Sequence, residues 1–275
     1  MTAETAFVLV AGGHIGGWVW EEVAGRLRAA GAGAYPATLT GLGDRRHLAG
    51  PETDLETHIE DLVQIVDHLD APKVVMVGHC YGIYPVVGAA DRRAERVSRV
   101  VYLDSPLPDH GRSMLDQVRD EMADRETRER MLRQAEEAED SRRIPPPSLE
   151  EWRTLGNVVG VPEDALVRLA RLSAPHPLRT QTQPLRLSGA VDGLPMTGIF
   201  CTAGGGTTIA AVEALVATGN PRFRALAEPR AGFFELATGH WPMLSAPGEL
   251  TEVLLRAAAG EGYRLDAGRR VPSAG

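Results

Sequence analysis

The chain has 275 residues, 43% hydrophobic and 24% charged, a globular composition that excludes a disordered chain. Its formal net charge of −8 leaves no basic field to recruit a phosphate backbone, which argues against nucleic-acid binding. Two cysteines, Cys80 and Cys201, cannot make a disulfide framework, and no apolar run approaches the roughly 20 residues that span a bilayer. A soluble, cytoplasmic protein without a membrane partner is expected.

In chain order, Ala6 to Val10 (AFVLV) reads as a buried strand ended by Gly12-Gly13. Trp18 to Ala30 carries apolar residues at three- and four-residue spacing and reads as a helix. Gly33 to Leu39 reads as a second strand, and a Gly/Pro-containing loop follows. Thr57 to Leu69 (THIEDLVQIVDHL) is a strong helix pattern, with Thr57 and Glu60 as a capping box. Lys73 to Gly78 is a continuous apolar run, as expected of a strand covered on both faces. A helix to about Ala94 and a strand at Val97 to Leu103 come next.

From about Leu107 the character changes. Residues 112–143 hold 8 Arg and 10 Asp or Glu, which reads as a solvated helix with i,i+4 ion pairs. Pro145-Pro146-Pro147 breaks it. More helix follows to about Ala174, then a Pro/Thr/Gln-rich link. The strand–helix rhythm resumes with a strand at Met196 to Cys201, a helix at Ile209 to Thr218, a strand at Phe233 to Leu236 and a helix at Pro247 to Ala258. The alternation implies an α/β fold with a mostly parallel sheet flanked by helices. Residues 1–106 and 191–262 form its core, 107–190 a helical lid insertion and 263–275 a flexible tail.

The segment VVMVGHCYG puts Gly78-His79-Cys80-Tyr81-Gly82 directly after a strand and before a helix. That is the spacing of a nucleophile elbow, G-x-S-x-G, with cysteine at the serine position. The tight strand-to-helix turn strains the nucleophile and exposes its head, and small residues on either side let the backbone pass. The bland reading of Cys80 is a small buried apolar residue; its context favours the nucleophile. His240, after the last strand and before the last helix, falls at the same C-terminal sheet edge and is the candidate base. His79 should point away from Cys80, and His14 stands near a pocket mouth. His47, His58, His68, His110 and His176 read as surface or loop residues.

Five stretches together resemble one family: FVLVAGGHIGGWVW, LTGLGDRRHL, VGHCYG, VYLDSPLPDHG and ATGHWPML. They are similar to the α/β-hydrolase fold superfamily, in the small branch of plant methyl-ester esterases, hydroxynitrile lyases and their bacterial relatives. The resemblance implies an oxyanion hole from the backbone N–H groups of Gly13 and Tyr81. The bland reading of Gly12-Gly13 is a tight turn, and both readings can hold.

Three features depart from the family. Ala11 stands where a histidine usually precedes the oxyanion glycine. Cys80 replaces serine. The usual triad acid is missing, because about Gly205 occupies its place and no Asp or Glu lies between Gly193 and Val212. A cysteine can form a thiolate–imidazolium pair in advance, so it asks less of an acid than serine does. Cys80 and His240 are therefore expected to act as a dyad, with Asp104 as the one well-placed substitute acid. The bland reading of Asp104 is a structural hydrogen-bonding residue.

The leading reading is hydrolysis of a small carboxylic ester, lactone or thioester through an acyl-Cys80 intermediate. The alternatives are a lyase, cyclase or acyltransferase on the same fold, or an inert binding protein. Trp152, Leu155, Val158, Val159, Leu166 and Leu169 either line an apolar pocket or form the core of the lid. The expected partner is a small-molecule substrate, with a homodimer possible. No dinucleotide fingerprint, phosphate loop or metal-ligand spacing occurs, so no cofactor or metal is implied.

Overall fold

Six strands carry the fold's main sheet: β1 (Thr5–Val10), β2 (Gly33–Ala37), β3 (Lys73–His79), β4 (Val97–Leu103), β7 (Met196–Cys201) and β8 (Ala231–Leu236). Between β4 and β7 the two-residue segments β5 (Arg143–Ile144) and β6 (His176–Pro177) pair antiparallel with each other. The computed structural model describes residues 4–155 and 157–265. The main sheet runs β2-β1-β3-β4-β7-β8, and every neighbouring pair is parallel. Parallel strands need crossover connections, and here helices supply them on both faces.

The alternation of side chains along a strand explains the two cores. Phe7 and Leu9 of β1 turn to one face, where they pack with the helices Glu21–Ala29 and Pro247–Ala258. Ala6, Val8 and Val10 turn to the other, against the helices Leu55–Asp67 and Ile83–Arg92. Both faces are dry, which is why β1 and β3 read as unbroken apolar runs. Pro36 can sit in β2 because that strand is an edge, where a missing N–H costs no ladder bond.

Most boundaries fall where the sequence puts them, and the differences have physical causes. The region expected to be one helix from Trp18 opens as a 3-10 turn, Gly17–Trp20, before the helix at Glu21. The second helix starts at Leu55, because Asp54 caps it. Its side chain accepts from the Thr57 N–H at 3.0 Å, and Thr57 Oγ1 accepts from the Asp54 N–H at 3.3 Å. Asp54 and Thr57 form the capping box, so the Thr57/Glu60 expectation is displaced by one helical turn. The charged stretch is two helices, Met114–Glu121 and Arg125–Glu137, rather than one. Arg125 and Glu129 make an i,i+4 pair at 2.7 Å. The less exposed pairs are long-range: Arg222 meets Asp109 at 3.1 Å and Glu121 at 2.6 Å, tying the insertion back to the core.

Tyr263 forms an antiparallel bridge with Phe233 on the outer edge of β8. The start of the stretch expected to be a flexible tail is thus pinned to the sheet, and residues 266–275 lie outside the described residues. No helix among the described residues is long and apolar enough to cross a membrane.

Candidate active site

All six main strands point the same way, so their C-terminal ends form one edge. Cys80 follows β3, Asp104 follows β4 and His240 follows β8. At the elbow β3 turns through a 3-10 turn, Cys80–Gly82, into the helix Ile83–Arg92. Cys80 sits at φ +52°, a left-handed conformation that costs a side-chain-bearing residue on the order of 1–3 kcal/mol. The crowding explains the flanking glycines. A Cβ on Gly78 would lie 2.5 Å from the Ile83 Cα, and one on Gly82 2.5 Å from the Ala11 carbonyl oxygen. Cys80 keeps partial exposure, unlike Cys201, which is buried at the end of β7.

His240 is fixed through three contacts. Its N–H donates to the Asn157 carbonyl at 2.9 Å, and its own carbonyl accepts from His79 Nε2 at 2.7 Å. Its ring Nδ1 lies 2.6 Å from Asp104 Oδ2. A carboxylate only accepts, so Nδ1 carries the proton there and Nε2 is left for the thiol. Asp104, itself at φ +42°, is held from behind by the Cys201 N–H, which donates to Oδ1 at 3.1 Å.

The electrostatics follow from this packing. Burial alone would raise the Cys80 pKa, but the charge and hydrogen bond of His240, with the Tyr81 N–H, hold it below the usual thiol value. Burial alone would lower His240, but the Cys80 sulfur and the Asp104 hydrogen bond overcome it and raise it to about 10. Burial would raise Asp104; the His240 bond and the Cys201 N–H keep it low. These shifts all favour a thiolate beside an imidazolium, with an ionised carboxylate behind the ring.

The structure thus brings Cys80, His240 and Asp104 together, and it leaves Gly205 in the loop after β7 with nothing within 4 Å of its Cβ position. The acid approaches the ring from the end of β4 instead. Gly13 lies in the loop after β1 and Tyr81 directly follows Cys80 in its turn; a Cβ on Gly12, the residue before Gly13, would meet the Cys80 Cβ at 3.0 Å. The Gly13 N–H has no hydrogen-bond partner among the described residues. Its neighbour His14 is half-buried at φ +70°. His79 packs against the His240 and Trp241 rings.

Two histidines are not where the sequence suggested. His58 and His176, read as surface or loop residues, are fully buried, whereas His47, His68 and His110 are exposed. His58 sits on the apolar stripe Leu55, Ile59, Leu62, Val66 of its helix, a spacing that could have revealed it. His176 lies in a Pro-flanked link that carries no periodic signal. Trp152, Leu166 and Leu169 belong to the core under one sheet face, Val158 packs against it and Val159 is exposed. Of the two readings, Trp152, Leu166, Leu169 and Val158 follow the core one and Val159 follows neither; the Leu155 side chain lies outside what is described. A cleft of about 510 Å³ is lined by Tyr102, Leu107, Asp109, His110, Asp192 and Arg222, and touches neither Cys80 nor His240. No cluster of three His, Cys, Asp or Glu side chains among the described residues is arranged to hold a metal ion.

Comparison with known proteins agrees with this architecture. A family model described as "Alpha/beta hydrolase family" matches residues 7–253. A carbendazim hydrolyzing esterase from Nocardioides sp. (strain SG-4G) is 42% identical over 109 residues, 40% of this chain and 45% of that protein. Methylesterase 8 of Arabidopsis thaliana is 35% identical over 105 residues, 38% of each chain. These matches span less than half the length of either relative. An extracellular alpha/beta-hydrolase from a Paenibacillus species superposes with a TM-score of 0.71 at 18% identity, covering 92% of this chain and 98% of that one; at that identity the likeness shows the fold.

Proposed function

The chain belongs to the alpha/beta-hydrolase family, and we propose that it hydrolyses a small carboxylic ester, lactone or thioester through an acyl-Cys80 intermediate. The Cys80 thiolate attacks the substrate carbonyl carbon. The Gly13 and Tyr81 N–H groups receive the oxyanion of the tetrahedral intermediate. Protonated His240 gives its Nε2 proton to the leaving oxygen or sulfur, and the carbon–heteroatom bond breaks to leave a thioester on Cys80. His240, now neutral, takes a proton from water as it attacks that thioester. The second intermediate expels the thiolate and releases the acid. The proton on His240 restores the resting ion pair. Asp104 keeps Nδ1–H aligned and stabilises the imidazolium throughout. Residues 107–190, inserted at the catalytic edge, serve as the lid in this reading.

The single observation that carries it is the 2.6 Å bond between Asp104 and His240, with the thiol on the far side of the ring. It also removes one reason for the lyase and cyclase alternatives, which loss of the usual acid would have fitted. The named activities of the relatives, a carbendazim hydrolyzing esterase and a methylesterase, point the same way.

The test is Cys80 alkylation by iodoacetamide as a function of pH. The parent protein should react well below the pH at which an ordinary thiol, of pKa about 8.5, becomes reactive. His240→Ala should shift the profile upward, because burial is then opposed only by the Tyr81 N–H. An ordinary thiol profile in the parent, unchanged in His240→Ala, would refute the ion pair.

A further inference from the structure

We propose that His176 and His58 are positioning residues for the oxyanion hole: two buried imidazoles, each clamping one of the two backbone segments that supply its donors. The inference rests on Cys80 as the acylated nucleophile, and it concerns groups that never touch the substrate.

His176 reaches the first donor. The His14 N–H donates to its Nδ1 at 3.1 Å. An N–H can only donate, so Nδ1 must be bare and the proton must sit on Nε2. Nε2 lies 2.7 Å from Thr180 Oγ1, which can accept it. Two more bonds close a clasp around the same turn. His14 Nδ1–H donates to the Ala174 carbonyl at 3.0 Å, and the Ala174 N–H donates to the His14 carbonyl at 2.8 Å. The clasp holds His14 in its left-handed conformation, which persists only where the surroundings over-determine it. Ala11, at the start of the turn, offers no polar side chain of its own. The imidazole packs so closely that a Cβ on Gly13 would meet Nδ1 at 3.2 Å. With His14 clamped, the adjacent Gly13 N–H has a fixed direction.

His58 reaches the second donor by the same logic. Its Nε2 lies 2.7 Å from the Thr40 carbonyl, which can only accept, so Nε2 carries the proton. Its Nδ1 is therefore bare and accepts the Tyr81 phenol at 2.7 Å. Tyr81 also meets the His176 ring edge-on, with centroids 4.6 Å apart. The residue whose N–H follows the nucleophile is thus anchored by its own side chain.

Both rings are complete as neutral donor–acceptor units, and a second proton on either would face an N–H or O–H. Burial lowers His58 to about 4, against the Thr40 carbonyl, Asp61 and Asp54, which raise it, and alongside Arg45, which lowers it. Burial, then His14 and His58, put His176 well below its ordinary value. The two rings keep their tautomers across the working range of the ion pair.

The experiment separates oxyanion support from general packing. Acylation by p-nitrophenyl acetate develops an oxyanion; alkylation by iodoacetamide displaces halide at a saturated carbon and does not. His176→Gln and His58→Gln place a group near Nε2 and lose the Nδ1 acceptor. His176→Asn and His58→Asn place an acceptor oxygen near Nδ1. The Gln variants should lose about 10²-fold in acylation rate, the scale of one misplaced oxyanion donor. At a pH where the thiol is fully ionised, so that the help of the Tyr81 N–H to the thiolate no longer counts, their alkylation rates should match the parent's, and the Asn variants should recover most of the acylation. Gln variants that acylate like the parent would overturn the proposal, as would a parallel fall in alkylation. A parent protein that alkylates at Cys80 but forms no acyl adduct there would sink the nucleophile reading itself.

Discussion

At the scale of single residues, the site is a solution to one problem: a thiol needs a proton acceptor, and the acceptor needs a fixed orientation. In the proposed mechanism Cys80 forms its ion pair before substrate arrives, so Asp104 would stabilise a charge already present rather than one created in the attack. That lowers its weight relative to a serine enzyme, where breaking the acid–histidine link costs about 10⁴ in kcat. Asp104→Asn is expected to cost less, about 10- to 100-fold in acylation, with Cys80 alkylation retained at neutral pH. A loss near 10⁴ in acylation rates would show that Cys80 behaves as a protonated nucleophile. Cys80, His240 and Asp104 were all legible in the sequence, because each directly follows a strand that reads clearly. What could not be read was whether Asp104 reaches the ring: it ends β4, whereas the usual acid position, about Gly205, follows the neighbouring strand β7, and the distance between side chains on separate strands is set by the fold.

At the scale of elements, strands and helices with a one-sided or unbroken apolar pattern were legible to within a residue or two. The misplacements are local hydrogen-bond contests. Thr57 could cap a helix with Glu60 or serve as the third residue of one capped by Asp54, and the second arrangement adds two helical residues, Leu55 and Glu56. Asp54→Ala is accordingly expected to lower stability by about 1 kcal/mol. Glu60→Ala should leave it nearly unchanged. Urea unfolding of both variants checks this, and equal costs would contradict the assigned cap. The link at 173–182 was illegible for a different reason. Its order leans on tertiary contacts: Ala174 and His176 clasp the turn after β1, and Thr180 and Gln181 are buried although the local sequence is polar and Pro-rich. This part of the insertion is therefore bonded to the turn after β1, the contact on which the proposed support of the catalytic edge rests.

At the scale of the whole molecule, four histidines are held neutral by burial: His14 and His58 at about 4, His79 at about 3 and His176 well below its usual value. In the unfolded chain each titrates near 6.5. Between roughly pH 6.5 and 4 the unfolded state binds protons that the folded state refuses, so stability is full above that window and falls as pH drops through it. Each such proton is worth about 1.4 kcal/mol per pH unit. His240 adds no slope there, because its raised value keeps it protonated in both states. Melting temperature should therefore decline steeply below about pH 6.5, with a shallower slope in His176→Asn. A flat profile down to pH 5 would show that these rings are solvated.

The most direct measurement of the central claim is rapid-quench mass spectrometry of the protein mixed with p-nitrophenyl acetate. One acetyl group should accumulate and then decay, and peptide mapping should place it on Cys80; Cys80→Ala should show neither the adduct nor the burst. Turnover with no adduct, or an acetyl group on any other residue of an active protein, would contradict a mechanism that runs through the Cys80 sulfur.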